Sequence, residues 1–197
     1  MDSLNVCVFC ASSQRIGRKY LDLAANTGVE LARRGHTLVS GGGRVGSMGA
    51  VARSARAGGA HTVGVIPRGL VGMEVADDDA DELIVADDMR TRKAEMDRRA
   101  DAFLVLPGGI GTLEELFEVW TAQVLGLHSK PLVVLDPYGL YGTLRELVSQ
   151  LVDEGFAQPH VFDAAHWAAT TEEAFDHLES AVVALRPGPE EMLEAEP

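Results

Sequence analysis

The chain has 197 residues, 46% of them hydrophobic and 24% charged, which suffices for one core of ordinary size. Its formal net charge of −13 argues against a surface for nucleic-acid backbone, which needs clustered Lys and Arg, and against an anionic membrane. No stretch is apolar long enough to span a bilayer, and MDSLNVCVFC has no charged region ahead of a cleavage site, so a cytoplasmic protein is expected.

In chain order, LNVCVFCA reads as a first strand and YLDLAANTGVELARRG as a helix ended by Gly35. HTLVS is a second strand, GSMGAVARSARAGG a helix closing on two glycines, and HTVGVIP a third strand. MEVADDDADE is expected to be a loop or solvated turn, with ELIVA a fourth strand. DMRTRKAEMDRRA has helical spacing, DAFLVLP is a strand, and GTLEELFEVWTAQVLG is a helix. KPLVVLDP, LYGTLRELVSQLVDEG, HWAAT and EEAFDHLESAVVAL continue the alternation as strand, helix, short strand and helix. The apolar runs are continuous and β-branched, as strands covered on both faces of a parallel sheet require. The expected fold is therefore α/β: a Rossmann-like, doubly wound, mainly parallel sheet flanked by helices. A single domain is expected over residues 1–186, with PGPEEMLEAEP, 187–197, as a disordered tail.

Cys7 and Cys10 form C-x-x-C, but they lie inside an apolar strand, where positions three apart point to opposite faces. No second pair and no nearby histidine completes a tetrahedral site, so they are read as buried and inert, with no metal and no cofactor expected. The cluster SGGGRVGSMG contains G-x-G-x-x-G at Gly41, Gly43 and Gly46, between a strand and a helix. A dinucleotide site also needs an acidic residue about twenty positions on to hold a ribose hydroxyl; that region reads AHTVGVIPRG. Close strand–helix packing is the alternative use of these glycines.

The second cluster, PGGIGTLEE at 107–115, ends a strand and opens a helix. Gly108, Gly109 and Gly111 let backbone N–H groups and the positive helix end approach an anion, and Thr112 adds a hydroxyl. Glu114 and Glu115 follow one turn on, an odd choice beside a phosphate unless one of them does chemistry. The third element, DMRTRKAEMDRR, gathers Arg90, Arg92, Lys93, Arg98 and Arg99 within an otherwise acidic chain. Either this is a solvated helix laced with i,i+4 charge pairs, or one arginine holds a phosphate or positions a carboxylate.

Four segments, VCVFCASS, SGGGRVGSMGAVA, MRTRKAEM and PGGIGTLEE, occur in an order and spacing that resembles the Lonely Guy (LOG) family of cytokinin riboside 5′-monophosphate phosphoribohydrolases. The resemblance runs from about residue 4 to about residue 180, and the pairing of M-x-x-R-K with P-G-G-x-G-T-x-x-E is its specific part. The older label for such sequences, lysine decarboxylase, finds no support, because no lysine context marks pyridoxal phosphate chemistry. The resemblance implies hydrolysis of the N-glycosidic bond of a nucleoside 5′-monophosphate, giving a free base and ribose 5-phosphate. N6-modified adenosine monophosphates are the implied substrates, with AMP beside them.

By motif position Arg92 and Glu115 match the family's catalytic pair. Lys93, Gly109, Ile110, Gly111, Thr112, Leu113 and Glu114 match its substrate contacts, as do Thr121 and, across a differing loop, Glu74. Arg90 replaces the family's usual histidine, CASSQR departs from a segment richer in glycine and serine, and SGGG replaces a tyrosine-led YGGG. A carboxylate beside the ribose stabilises an oxocarbenium-like ion and activates water, so Arg92 is expected to keep Glu115 ionised and oriented. A homodimer is implied, with Phe117, Trp120 and Val124 candidates for its interface or for the chain's own core. The alternative function is a non-catalytic Rossmann-like binder of a nucleotide or phosphorylated cofactor, as relatives that carry molybdenum cofactor are.

Overall fold

A computed structural model describes residues 2–71 and 75–185. Seven strands form one parallel sheet in the order β4-β3-β2-β1-β5-β6-β7. They are β1 (Asn5–Phe9), β2 (Thr37–Ser40), β3 (Thr62–Pro67), β4 (Glu82–Ala86), β5 (Ala102–Val105), β6 (Leu132–Leu135) and β7 (His166–Ala168). Between them run α1 (Arg18–Arg33), α2 (Gly46–Ala57), the four-residue α3 (Arg68–Val71), α4 (Met89–Arg99), α5 (Ile110–Val124) and α6 (Gly142–Asp153); α7 (Thr171–Leu185) follows β7. The doubly wound parallel sheet read from the sequence is the fold observed. Two short elements were not anticipated: α3, and a 3-10 turn at Pro159–Phe162. Each is four residues long, too short to carry a hydrophobic period.

The alternation along β1 explains how one strand serves two layers. Val6 and Val8 pack with α1, α2 and α7, whereas Cys7 and Phe9 pack into the other layer with Met96, Leu116 and Val119. Cys7 and Cys10 accordingly lie in different layers, both free and buried, and burial raises both thiols above their ordinary range. That suits inert packing, since the reactive form of a thiol is the thiolate. Every residue of β5 and β6 is buried, and truncating a side chain such as Leu104 to alanine is expected to cost about 2–5 kcal/mol.

The central strand β1 pairs with β2 on one side and with β5 on the other, Cys7 facing both Val39 and Phe103. The chain winds outward from β1 through β2 and β3, then returns to place β5 on the opposite flank. At such a reversal the two connections leaving the carboxyl ends of β1 and β5 diverge and leave a crevice. Among the described residues no helix is long and apolar enough to cross a membrane.

Candidate active site

The crevice at the carboxyl ends of β1 and β5 holds a cavity of about 390 Å³, within the ~300–1,000 Å³ usual for small-molecule sites. On the β1–β5 flank its lining is Ser12, Ser13, Gly109, Gly111, Thr112 and Glu115. On the β2–β3 flank the lining turns apolar, with Met48, Ile66, Leu70, Val75 and Met89. One pocket thus offers hydroxyls, amides and a carboxylate at one end and a hydrophobic wall at the other.

The third glycine of the first cluster brings α2 against the loop after β1, beside the cavity. Gly46 adopts φ +61°, and a Cβ there would stand 2.7 Å from the Ser13 carbonyl and 2.8 Å from that of Ala11. Only glycine lets α2 begin this close to the loop after β1, where the Met48 amide donates to the Ala11 carbonyl at 3.1 Å. Gly41 has a different use: any Cβ at this position would collide with the Arg92 guanidinium. The G-x-G-x-x-G pattern therefore seats an arginine and joins two elements, in line with the packing alternative.

Arg92 comes from α4, whose start is fixed by Asp88, the N-cap, accepting from the Thr91 amide at 2.8 Å. One turn on, Arg92 points inward and is only 5% exposed. Its Nε donates to the Val65 carbonyl at 3.0 Å, and its Nη1 donates to Glu115 Oε1 at 2.9 Å. Glu115 is itself only 7% exposed. Burial pushes its carboxyl above the ordinary value, and Arg92, by charge and by hydrogen bond, offsets only part of that rise. Arg92 orients Glu115, but the net shift is upward because the desolvation of a carboxylate held this deep outweighs a single hydrogen-bonded cation. The remaining basic residues of α4 follow the solvated reading, Arg98 pairing with Glu95 and Arg99 with Glu82 and Glu95.

The α5 N-terminus is left open. Gly109 is its N-cap with no side chain capping it, so the first amides of the helix face the cavity unsatisfied by any cap. The turn before it is gripped by Tyr141, whose hydroxyl accepts from the Gly108 amide at 2.7 Å and lies 3.2 Å from the Leu106 carbonyl as donor. Burial pushes the Tyr141 hydroxyl up to about 12, so it stays protonated and able to donate.

The sequence-predicted residues separate into three groups. Arg92, Gly109, Gly111, Thr112 and Glu115 meet at the cavity. Lys93 turns away from it, pairing with Glu114 and Glu118, beside a second cavity of about 230 Å³ that Glu115 also borders. Burial would lower the Lys93 ammonium, but its two carboxylate partners hold it above the ordinary value. Ile110 is 87% exposed, Leu113 packs against the core, and Thr121 is exposed and lines neither cavity. Glu74 lies outside the described residues, as does the tail at 187–197. Tyr141, Ser12, Ser13 and the apolar wall were not singled out. The serines carried a usable signal, since they directly follow the first strand at a point where a doubly wound sheet opens. Among the described residues no group of three or more His, Cys, Asp or Glu is placed to hold a metal ion.

Comparison with known proteins supplies the rest. A family model described as "Possible lysine decarboxylase" matches residues 48–178. A cytokinin riboside 5′-monophosphate phosphoribohydrolase of Mycobacterium tuberculosis is 54% identical over 78% of this chain and 82% of its own length. The chain belongs to the Lonely Guy family. A second member, the Mycobacterium marinum phosphoribohydrolase, is 47% identical over 93% of this chain and 94% of its own. The Lonely Guy fold extends further: the molybdenum cofactor binding protein from Rippkaea orientalis superposes with a TM-score of 0.68 at 21% identity, over 92% of this chain and 99% of that one.

Proposed function

We propose that this protein hydrolyses the N-glycosidic bond of a nucleoside 5′-monophosphate, with N6-modified adenosine monophosphates of the cytokinin type as substrates and AMP beside them. The observation that carries the reading is the buried Arg92–Glu115 pair on the wall of a cavity at the sheet's reversal. The names of the 54% and 47% identical relatives support the substrate class.

In this reading the 5′-phosphate sits at the open N-terminus of α5, on the amides near Gly109, Gly111 and Thr112. The ribose then lies against Glu115, and the base extends toward Met48, Ile66 and Met89. As the bond to the base lengthens, positive charge grows on the ribose, and ionised Glu115 stabilises it in a site where water does not screen the interaction. Glu115 also takes the proton of the attacking water. The water's hydroxyl ends on C1′ and a proton ends on the departing base. Arg92, held from behind by the Val65 carbonyl, positions the carboxylate and cannot drift to the phosphate.

The roles the resemblance gives Thr121 bear on assembly. Ile110, Phe117, Thr121 and Leu125 follow one another at 7, 4 and 4 residues, one face of α5, and all are exposed. Trp120 and Val124 instead serve the chain's own core. A second copy packed on this face buries the exposed apolar residues and sets Thr121 against a neighbouring cavity; a homodimer is therefore part of the proposal. Incubation with AMP and with isopentenyladenosine 5′-monophosphate, followed by chromatography, tests the reaction: free base and ribose 5-phosphate should appear in equal amounts. Nucleotide that stays intact while bound would instead make the protein a carrier.

A further inference from the structure

We infer that Arg56 and Asp77 are positioning residues for the base-side wall of the cavity, acting through the segment 75–81 rather than by touching substrate. The inference rests on the nucleotide reading above.

That segment is rich in aspartate and forms no strand of the sheet, and its tie to β3 lies at the far end, where the Thr62 amide and hydroxyl both donate to Asp81 at 2.8 Å. It is nonetheless zipped onto the first glycine turn. Gly43 and Ala76 form an isolated antiparallel bridge, the Arg44 amide donates to the Val75 carbonyl at 2.8 Å, and the Asp77 amide donates to the Gly42 carbonyl at 2.9 Å. Two such backbone bonds contribute little by themselves. What closes the arrangement is a fork from α2: Arg56 Nη1 and Nη2 donate to the two oxygens of Asp77 at 2.8 and 3.0 Å. Asp77 is only 5% exposed. A carboxylate this buried needs its partner, and without it the segment must turn outward to rehydrate the charge.

The consequence falls on the cavity. Val75 and Gly43 line it and are joined through this bridge, while Gly41, two positions earlier on the turn, abuts the Arg92 guanidinium. Loss of the fork therefore frees the wall that would receive the base but leaves Glu115, on the opposite flank, in place. Binding should suffer and the chemical step should not. If the closed wall is populated about one tenth of the time without the fork, apparent affinity falls about tenfold at unchanged turnover.

The test compares the wild type with Arg56→Met and with the double variant Arg56→Met/Asp77→Leu, which removes both charges together. The readouts are KM and kcat for base release from AMP, the Kd for AMP by calorimetry, and amide hydrogen exchange. Arg56→Met should raise KM and Kd about tenfold with kcat within about threefold of wild type. Its Arg44 and Asp77 amides should exchange faster while those of β1 and β5 stay protected. The double variant should recover most of the affinity. Native KM with protected amides in Arg56→Met, a fall in kcat at unchanged KM, or a double variant no better than the single would each overturn the inference. A wild type that binds AMP without cleaving it would sink the hydrolase reading alone, since Kd and exchange still decide on the anchor. A wild type that does not bind AMP would sink both.

Discussion

At the scale of single residues, Glu115 is caught between two opposing effects, and their balance sets a measurable pH dependence. Burial raises its carboxyl, and Arg92 pulls it back only in part, so in the free protein it titrates above the ordinary carboxylate value of about 4.5. If the ionised form is the active one, activity is lost as pH falls through that raised value. The acid limb of kcat/KM should therefore have its midpoint above 4.5, and Arg92→Lys, which loses the planar fork, should move it further up. Stability runs the opposite way: a folded-state pKa above the unfolded one means that ionising Glu115 weakens the fold as pH rises through that interval. A pH–rate profile whose acid limb lies at or below 4.5 would contradict this balance. Arg92 and Glu115 were legible in the sequence because their motifs are specific. The direction of the shift was not, because it depends on how deep the pair lies, and no spacing encodes depth.

Among the elements, the junction of β5 and α5 depends on a residue that sequence alone did not single out. Tyr141 stands at the N-cap of α6, more than thirty positions beyond the glycine turn it grips, and α6 gives no local hint of that contact. Tyr141→Phe keeps the buried ring but strips the Gly108 amide of its acceptor, at a cost of about 1–3 kcal/mol. The turn that presents the α5 amides should loosen, so KM for AMP is expected to rise about tenfold with little change in kcat. A KM unchanged in a folded Tyr141→Phe would show that the turn holds itself. The strands and long helices were readable because each carries many residues of one period. The segment 75–81 was readable only as a loop, since what orders it is a fork from α2, twenty-one positions before Asp77. Lys93, named as a substrate contact from the resemblance, borders the second cavity instead: its neighbour Arg92 faces the first, and the next position on a helix turns about 100° away.

For the whole molecule, a net charge of −13 leaves an anionic substrate with no favourable long-range field, and the burden falls on local donors. That is why an uncapped helix N-terminus matters here more than the protein's overall charge. Assembly is the second property at this scale. Leu125 is 66% exposed on the outward face of α5, and a substitution there disturbs little within one chain. Leu125→Glu should halve the mass in sedimentation equilibrium while leaving thermal unfolding of the chain nearly unchanged. A native protein that sediments as a monomer would contradict the proposed dimer.

The most direct test of the central claim, that Glu115 performs the chemistry rather than the binding, is Glu115→Gln measured two ways on AMP. Calorimetry should give a Kd within about threefold of wild type, because in the proposed pose α5 holds the phosphate and the opposite wall the base. Chromatography should show base release reduced about a hundred- to ten-thousand-fold, the usual worth of a general base. Turnover preserved in Glu115→Gln would contradict the account.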